Sequence, residues 1–193
     1  MNGDTDNKMK ILAIGDSFVQ GVGDELGGWA ARLGALDGIE LTQAGVAGNT
    51  VVDVLKRLPT AADGHWQIGL LGVGLNDSRW KSLSGNNETP IEQYKTGLAD
   101  IIKGLQLVCD KVAVLGLPQL DEAKTQPWRA DWHYLNSFIA QYDQVLREVA
   151  ATCLVDYVPV SSLTEPGLLA ADGLHPSVEG HQLILQSVLE YLT

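Results

Sequence analysis

A chain of 193 residues that is 45% hydrophobic, with 21 glycines and no repeat or low-complexity block, has the size and composition of one globular domain with a sizeable buried core. Its formal net charge of -11 repels phosphate backbones and anionic membrane surfaces, which argues against a nucleic-acid partner. No stretch approaches the roughly 20 apolar residues of a membrane span, and the polar start Met1 to Lys8 lacks the pattern of a signal peptide. These features predict a cytoplasmic protein with a loose tail over 1–8 and a single domain over 9–193.

The first apolar run, Ile11 to Ile14, stops at Gly15-Asp16-Ser17 and reads as a buried strand. Leu26, Ala30, Leu33 and Leu36 then fall at helical spacing, and the pattern ends at Asp37-Gly38. Ile39 to Ala44 predicts a second strand. After Gly45-Val46-Ala47-Gly48-Asn49-Thr50, the residues Val51, Val54, Leu55 and Leu58 mark a helix that runs up to Pro59, with Gly48 expected to open it. Trp66 to Gly72 is a third strand, apolar enough to be covered on both faces, and it leads into Gly74-Leu75-Asn76-Asp77.

Residues 78–90 are polar and predict a long loop, and loops of that length inside a domain are often functional. Ile91, Tyr94, Leu98, Ile101, Leu105 and Val108 predict a long helix, and Lys111 to Leu117 a fourth strand. A second long loop over 118–130 carries Trp128 and Arg129. The spacing Trp132, Leu135, Ile139, Tyr142, Leu146, Val149 predicts a helix starting near Trp132, followed by a fifth strand over Thr152 to Val158. Asp172-Gly173-Leu174-His175-Pro176 precedes a final helix through Leu192.

Strands alternating with amphipathic helices force parallel pairing through right-handed crossovers. The expected fold is therefore α/β, a three-layer α/β/α sandwich with a flavodoxin-like five-stranded parallel sheet of order 2-1-3-4-5. In that order Ser17, Gly48, Asn76 and the 172–175 loop all follow strand ends and converge on one edge of the sheet.

Nucleophilic acyl transfer needs a hydroxyl, a base, a group that orients the base, and donors for the oxyanion. Ser17 supplies the hydroxyl. His175 can act as base, with Asp172 three residues earlier to hold one imidazole nitrogen. The backbone N–H groups of Ser17 and Gly48 and the Asn76 side chain are candidate oxyanion donors. Each has a plainer reading: serine after a strand is an ordinary helix cap, glycine fits turns, and Asp-Gly-Leu-His-Pro can be a turn before a helix. Asp16, Asp77, Asp172 and His175 could instead gather a metal, a reading that leaves Ser17, Gly48 and Asn76 without a joint role. A non-catalytic binding module using the same edge is the alternative of another class. Gly-x-Ser-x-Gly, Gly-x-x-x-x-Gly-Lys-Ser/Thr and Gly-x-Gly-x-x-Gly are all absent from the sequence.

Four blocks in order, Gly15-Asp16-Ser17, Gly48 in Ala-Gly-Asn-Thr, Gly74-Leu75-Asn76-Asp77 and Asp172-Gly173-Leu174-His175-Pro176, resemble the SGNH (GDSL-type) serine hydrolases over nearly the whole chain. The resemblance implies the same α/β/α fold, a triad of Ser17, His175 and Asp172, and an oxyanion hole from Ser17, Gly48 and Asn76. It implies no metal or organic cofactor. Asp16 and Asp77 become supports for the turns. The family's second block often has an asparagine five residues before its glycine; here that position is Gln43, at a strand end away from the oxyanion donors. The resemblance fixes mechanism better than substrate: lipases, lysophospholipases, thioesterases, arylesterases and carbohydrate acetylesterases all belong. Small-molecule esters with short acyl, acetyl or lysophospholipid-type groups are expected, with Trp80, Trp128 and Arg129 from the two long loops as candidate substrate contacts.

Overall fold

The computed structural model describes residues 8–160 and 162–193. All of the expected N-terminal tail except Lys8 lies outside the described residues. The first half of the chain forms β1 (Met9–Gly15), α1 (Ser17–Gln20), α2 (Gly28–Gly34), β2 (Ile39–Gly45), α3 (Val51–Ala61), β3 (Trp66–Gly72) and α4 (Leu75–Ser78). Then follow β4 (Trp80–Lys81), β5 (Asn86–Asn87), α5 (Ile91–Gln106), β6 (Cys109–Leu115), α6 (Glu122–Thr125) and β7 (Trp132–His133). The chain ends with α7 (Asn136–Cys153), β8 (Asp156–Val158) and α8 (Val178–Leu192).

Five strands form a parallel sheet in the order β2-β1-β3-β6-β8, the expected order once the short strands are set aside. Because successive strand residues point to opposite faces, the apolar runs feed two separate cores. Ile11 and Ala13 of β1, Ile68 and Leu70 of β3, and Ala113 of β6 pack under α2 and α8 with Trp29, Leu33, Ile184 and Val188. Leu12, Ile14, Leu71, Val112 and Val114 face the other way, against Val54 of α3, Leu98 and Ile101 of α5, and Leu146 and Val149 of α7. A strand buried on both faces has no polar position to alternate with, which is why the run Ile11 to Ile14 is wholly apolar and fully buried.

The glycines at the strand ends draw the strands together where the site forms. Gly15 pairs with Gly45 on one side and Gly72 on the other, and a Cβ on Gly15 would lie 1.9 Å from the Gly72 carbonyl oxygen. Any side chain there would push β1 and β3 apart just before Ser17.

The structure corrects several boundaries. The helix after β2 does not open at Gly48: it starts at Val51 behind a capping box in which Thr50 and Asp53 satisfy each other's backbone N–H groups, and it continues past Pro59 to Ala61. Leu26, placed in a helix by spacing, is exposed and precedes α2. The fifth strand is shorter than expected because α7 runs on through Cys153 and ends on Leu154 in a left-handed conformation, φ 57. The largest difference concerns the long polar segments. Residues 78–90 contain the end of α4 and a β4–β5 hairpin, and β7 pairs antiparallel with β4, so both post-strand segments join in a second sheet of order β5-β4-β7. Trp132 therefore lies on a strand paired with Lys81, and the helix expected from Trp132 begins at Asn136.

Candidate active site

Ser17 is the first residue of α1, directly after β1. Asp16 caps that short helix by accepting the Phe18 N–H at 3.0 Å, which fixes the turn presenting Ser17. Its carboxyl is completely buried beside Asp77, and burial, against the pull of the Phe18 N–H, pushes it up to about 7. Among the described residues the Ser17 hydroxyl has no hydrogen-bond partner, yet it is not one of the occluded unpartnered atoms, so it remains reachable from the cleft.

His175 stands in the loop before α8. Its Nδ1 lies 2.6 Å from Asp172 Oδ2, while Asp172 Oδ1 accepts the backbone N–H groups of Leu174 and His175, both at 3.0 Å. Burial alone would raise the Asp172 carboxyl, but the hydrogen bonds from the His175 ring and the two backbone N–H groups outweigh it and hold the group below its ordinary value. An ionised Asp172 fixes the proton on Nδ1 and leaves Nε2 as the basic nitrogen. Phe18 and Trp128 flank the imidazole, with ring centroids at 6.4 and 6.2 Å. Ser17 and His175 line the same cleft without a direct hydrogen bond, the looser arrangement usual before substrate is bound.

The connection from β2 to α3 brings Gly48 to the cleft in a left-handed conformation, φ 82, with open space where a side chain would be. Arg57 of α3 secures this connection by donating from Nε to Asn49 Oδ1 and from a terminal nitrogen to the Gly15 carbonyl, each at 2.7 Å. Asn76, in the one-turn helix after β3, donates from Nδ2 to the Asn49 carbonyl at 3.0 Å and accepts the Tyr134 hydroxyl on Oδ1 at 3.1 Å. Both ends of the amide are thus held, and its second N–H remains for the cleft. Asp77 accepts the Val51 N–H on both oxygens, at 3.1 and 3.2 Å, tying α4 to the start of α3; burial pushes its carboxyl up to about 7 against these hydrogen bonds. Gln43 donates to the Val19, Gln20 and Gly27 carbonyls, bracing the end of α1 away from the oxyanion donors.

The cleft of about 360 Å³ is lined by Ser17, Gly48, Asn76, Tyr134 and His175 together with a wall of Arg79, Trp128, Arg129 and Trp132. Arg129 lies 4.1 Å over the Trp128 ring and Arg79 lies 3.9 Å over Trp132, whose plane is within 11° of Trp128. Arg79, on a segment that reads as a solvated loop, is buried and paired with Glu88, which also takes Lys81 at 2.8 Å. Trp80 is the exception among the expected contacts. It does not line the cleft; its ring stacks on Phe138 of α7 at 5.2 Å. Tyr134 and Arg57 were not anticipated from the sequence. His181 joins distant segments, donating from Nε2 to the Val22 carbonyl at 3.0 Å and accepting the Trp29 N–H on Nδ1 at 3.4 Å.

The rival reading of Asp16, Asp77, Asp172 and His175 as metal ligands finds no support: Asp16 and Asp77 accept backbone N–H groups inside the fold, and among the described residues no group of three or more His, Cys, Asp or Glu side chains is arranged to hold an ion. No described helix is long and apolar enough to cross a membrane.

The sequence profile of the GDSL-like lipase/acylhydrolase family matches residues 13–183. An isoamyl acetate-hydrolyzing esterase 1 homolog from Mus musculus is 24% identical over 95% of this chain and 81% of its own length. In structure, the chain resembles a lipase/acylhydrolase from Enterococcus faecalis (TM-score 0.73, 24% identity, 95% of each chain). It likewise resembles an acetylxylan esterase from Geobacillus stearothermophilus (TM-score 0.73, 23% identity, 94% of this chain and 93% of that one).

Proposed function

The chain belongs to the GDSL-like lipase/acylhydrolase family of ester-bond hydrolases, and on that premise we propose that it is a serine esterase for small acetyl or other short-acyl esters. The observation that carries this reading is that Ser17, Gly48, Asn76 and His175 line one cleft while Asp172 holds the His175 ring from behind at 2.6 Å. His175 Nε2 takes the Ser17 proton as Oγ attacks the acyl carbonyl. The carbonyl oxygen becomes an anion held by the N–H groups of Ser17 and Gly48 and by Asn76 Nδ2. His175 returns the proton to the leaving alcohol as the ester C–O bond breaks, giving an acyl-serine. Water then attacks the acyl group, losing its proton to His175, and the acid leaves as Ser17 recovers its hydrogen.

A cleft of about 360 Å³ walled by tryptophans suits a compact acyl group. The names of two relatives, which refer to isoamyl acetate and acetylxylan, both contain an acetyl ester and support the same choice. The acetylxylan esterase among the structural relatives keeps a carbohydrate acetylesterase as the second reading. Purified protein is expected to hydrolyse p-nitrophenyl acetate and to be labelled by a serine-directed organophosphonate, with Ser17→Ala abolishing both. Full turnover in Ser17→Ala would remove the nucleophile assignment, and a protein that neither turns over nor labels would be a binding module.

A further inference from the structure

The wall of the cleft is electrostatically unlike the rest of the molecule. The chain carries 24 acidic against 13 basic residues, yet the cleft lining holds two guanidiniums, Arg79 and Arg129, and no carboxylate. Arg79 is spoken for by Glu88. Arg129 is not: among the described residues it makes no ion pair, its side chain is exposed, and its guanidinium rests on the Trp128 face, one ring away from His175. Lys124 adds a second cation where the groove continues past Arg129, although Asp121 lies 3.6 Å from its ammonium and Asp172 shares that groove, already engaged with His175.

The backbone also presents Arg129 in a fixed way. Trp128 N–H donates to the Trp132 carbonyl at 2.8 Å and Trp132 N–H donates to the Arg129 carbonyl at 2.6 Å, closing a tight turn on β7. The turn needs Ala130 at φ 42, a left-handed conformation that an alanine adopts only at a cost of about 1 kcal/mol. Such strain persists where surrounding structure enforces it, and here the enforced result is a cation held at the mouth of the cleft.

We propose that Arg129 is a specificity-determining residue that selects esters carrying a negative charge, a carboxylate on either the acyl or the alcohol portion, about one ring's breadth from the scissile carbonyl. A guanidinium stacked on an indole keeps its N–H edge free for a carboxylate, so it donates paired hydrogen bonds without giving up its position. This rests on the esterase reading above and specifies its substrate class.

Two pairs of esters test it and separate the sources of the charge. For the acyl side, p-nitrophenyl hemiadipate is compared with its neutral methyl diester; the adipate spacing keeps the carboxylate from attacking its own ester efficiently. For the alcohol side, 4-acetoxybenzoate is compared with methyl 4-acetoxybenzoate. The charged member of at least one pair is expected to show about tenfold higher kcat/KM, and Arg129→Gln is expected to bring that ratio to about one, with Arg129→Lys in between. The ratio compares two esters on one preparation, so loss of folded protein cancels. The proposal is overturned if both wild-type ratios are one or less, or if a preference survives intact in Arg129→Gln. Failure of the esterase reading looks different: none of the four esters would be hydrolysed faster by wild type than by Ser17→Ala.

Discussion

Replacing Tyr134 by phenylalanine removes one oxygen and tests how Asn76 is held. The Tyr134 hydroxyl is raised above its ordinary value by burial, with Arg79 pulling the other way, so it is protonated at neutral pH and donates to Asn76 Oδ1 at 3.1 Å. Asn76 is 5% exposed, so water cannot replace the lost donor, and an unsatisfied buried acceptor costs about 1–3 kcal/mol of stability. The effect on turnover is separate. Removing an oxyanion donor outright costs about 10²–10³-fold in kcat. In Tyr134→Phe the proposed donor, Asn76, remains and keeps its Asn49 anchor at 3.0 Å but loses the other, so a part of that effect, about tenfold in kcat, is expected. The assay is kcat and KM for p-nitrophenyl acetate, with urea melts, for wild type, Tyr134→Phe, Asn76→Ala and the double variant. KM should change little, and Tyr134→Phe should have no further effect on kcat once Asn76 is alanine. An unchanged kcat in Tyr134→Phe, or an equal drop in the Asn76→Ala background, would refute the reasoning.

The buried acids make a second prediction. Asp16 and Asp77 stand near 7 in the fold against an ordinary value of 3.8, so the folded chain binds more protons than the unfolded one between about pH 4 and 7. Their contribution is complete below that window and is lost as pH rises through it. His181, lowered by burial, acts in the opposite sense, so the informative quantity is the difference between variants. Asp77→Asn should show a smaller fall in urea-melt stability from pH 5 to pH 7.5 than wild type, and an equal fall would count against it. A third concerns the end of α7, where Leu154 is 91% exposed and left-handed at φ 57. Leu154→Gly loses almost no packing and relieves that conformation, so it should raise stability by about 1 kcal/mol in thermal melts, and no rise would contradict the account.

What could be read in the sequence follows from where apolar runs stop. Ser17 and Asn76 each lie within a few residues of the end of a buried strand, and Asp172 and His175 precede a strongly periodic helix, so parallel topology alone gathers them. Two-residue strands carry no periodicity, and β4, β5 and β7 were invisible for that reason. The segment around Trp132 was misleading as well as silent, because Trp132, Leu135 and Ile139 imitate a helical face while the backbone is paired with Lys81. Arg79 reads as a solvated cation until Glu88 and Trp132 close over it. Tyr134 lies between these errors, and its role depends on a partner 58 positions away.

The small antiparallel sheet has a practical consequence for engineering. It supplies Trp132 to the cleft wall, and the next residue but one, Tyr134, braces Asn76, so under the proposed esterase reading, remodelling β7 to admit a bulkier ester would disturb turnover along with selectivity. The opposite end of the same sheet is free of that constraint. The β4–β5 hairpin turns at Leu83, 88% exposed, and no residue from Ser82 to Gly85 lines the cleft. A fluorophore, a purification tag or a fused module inserted at that tip would leave the reacting groups where they are, and a label there would sit on the one structural unit shared by both cleft-forming segments.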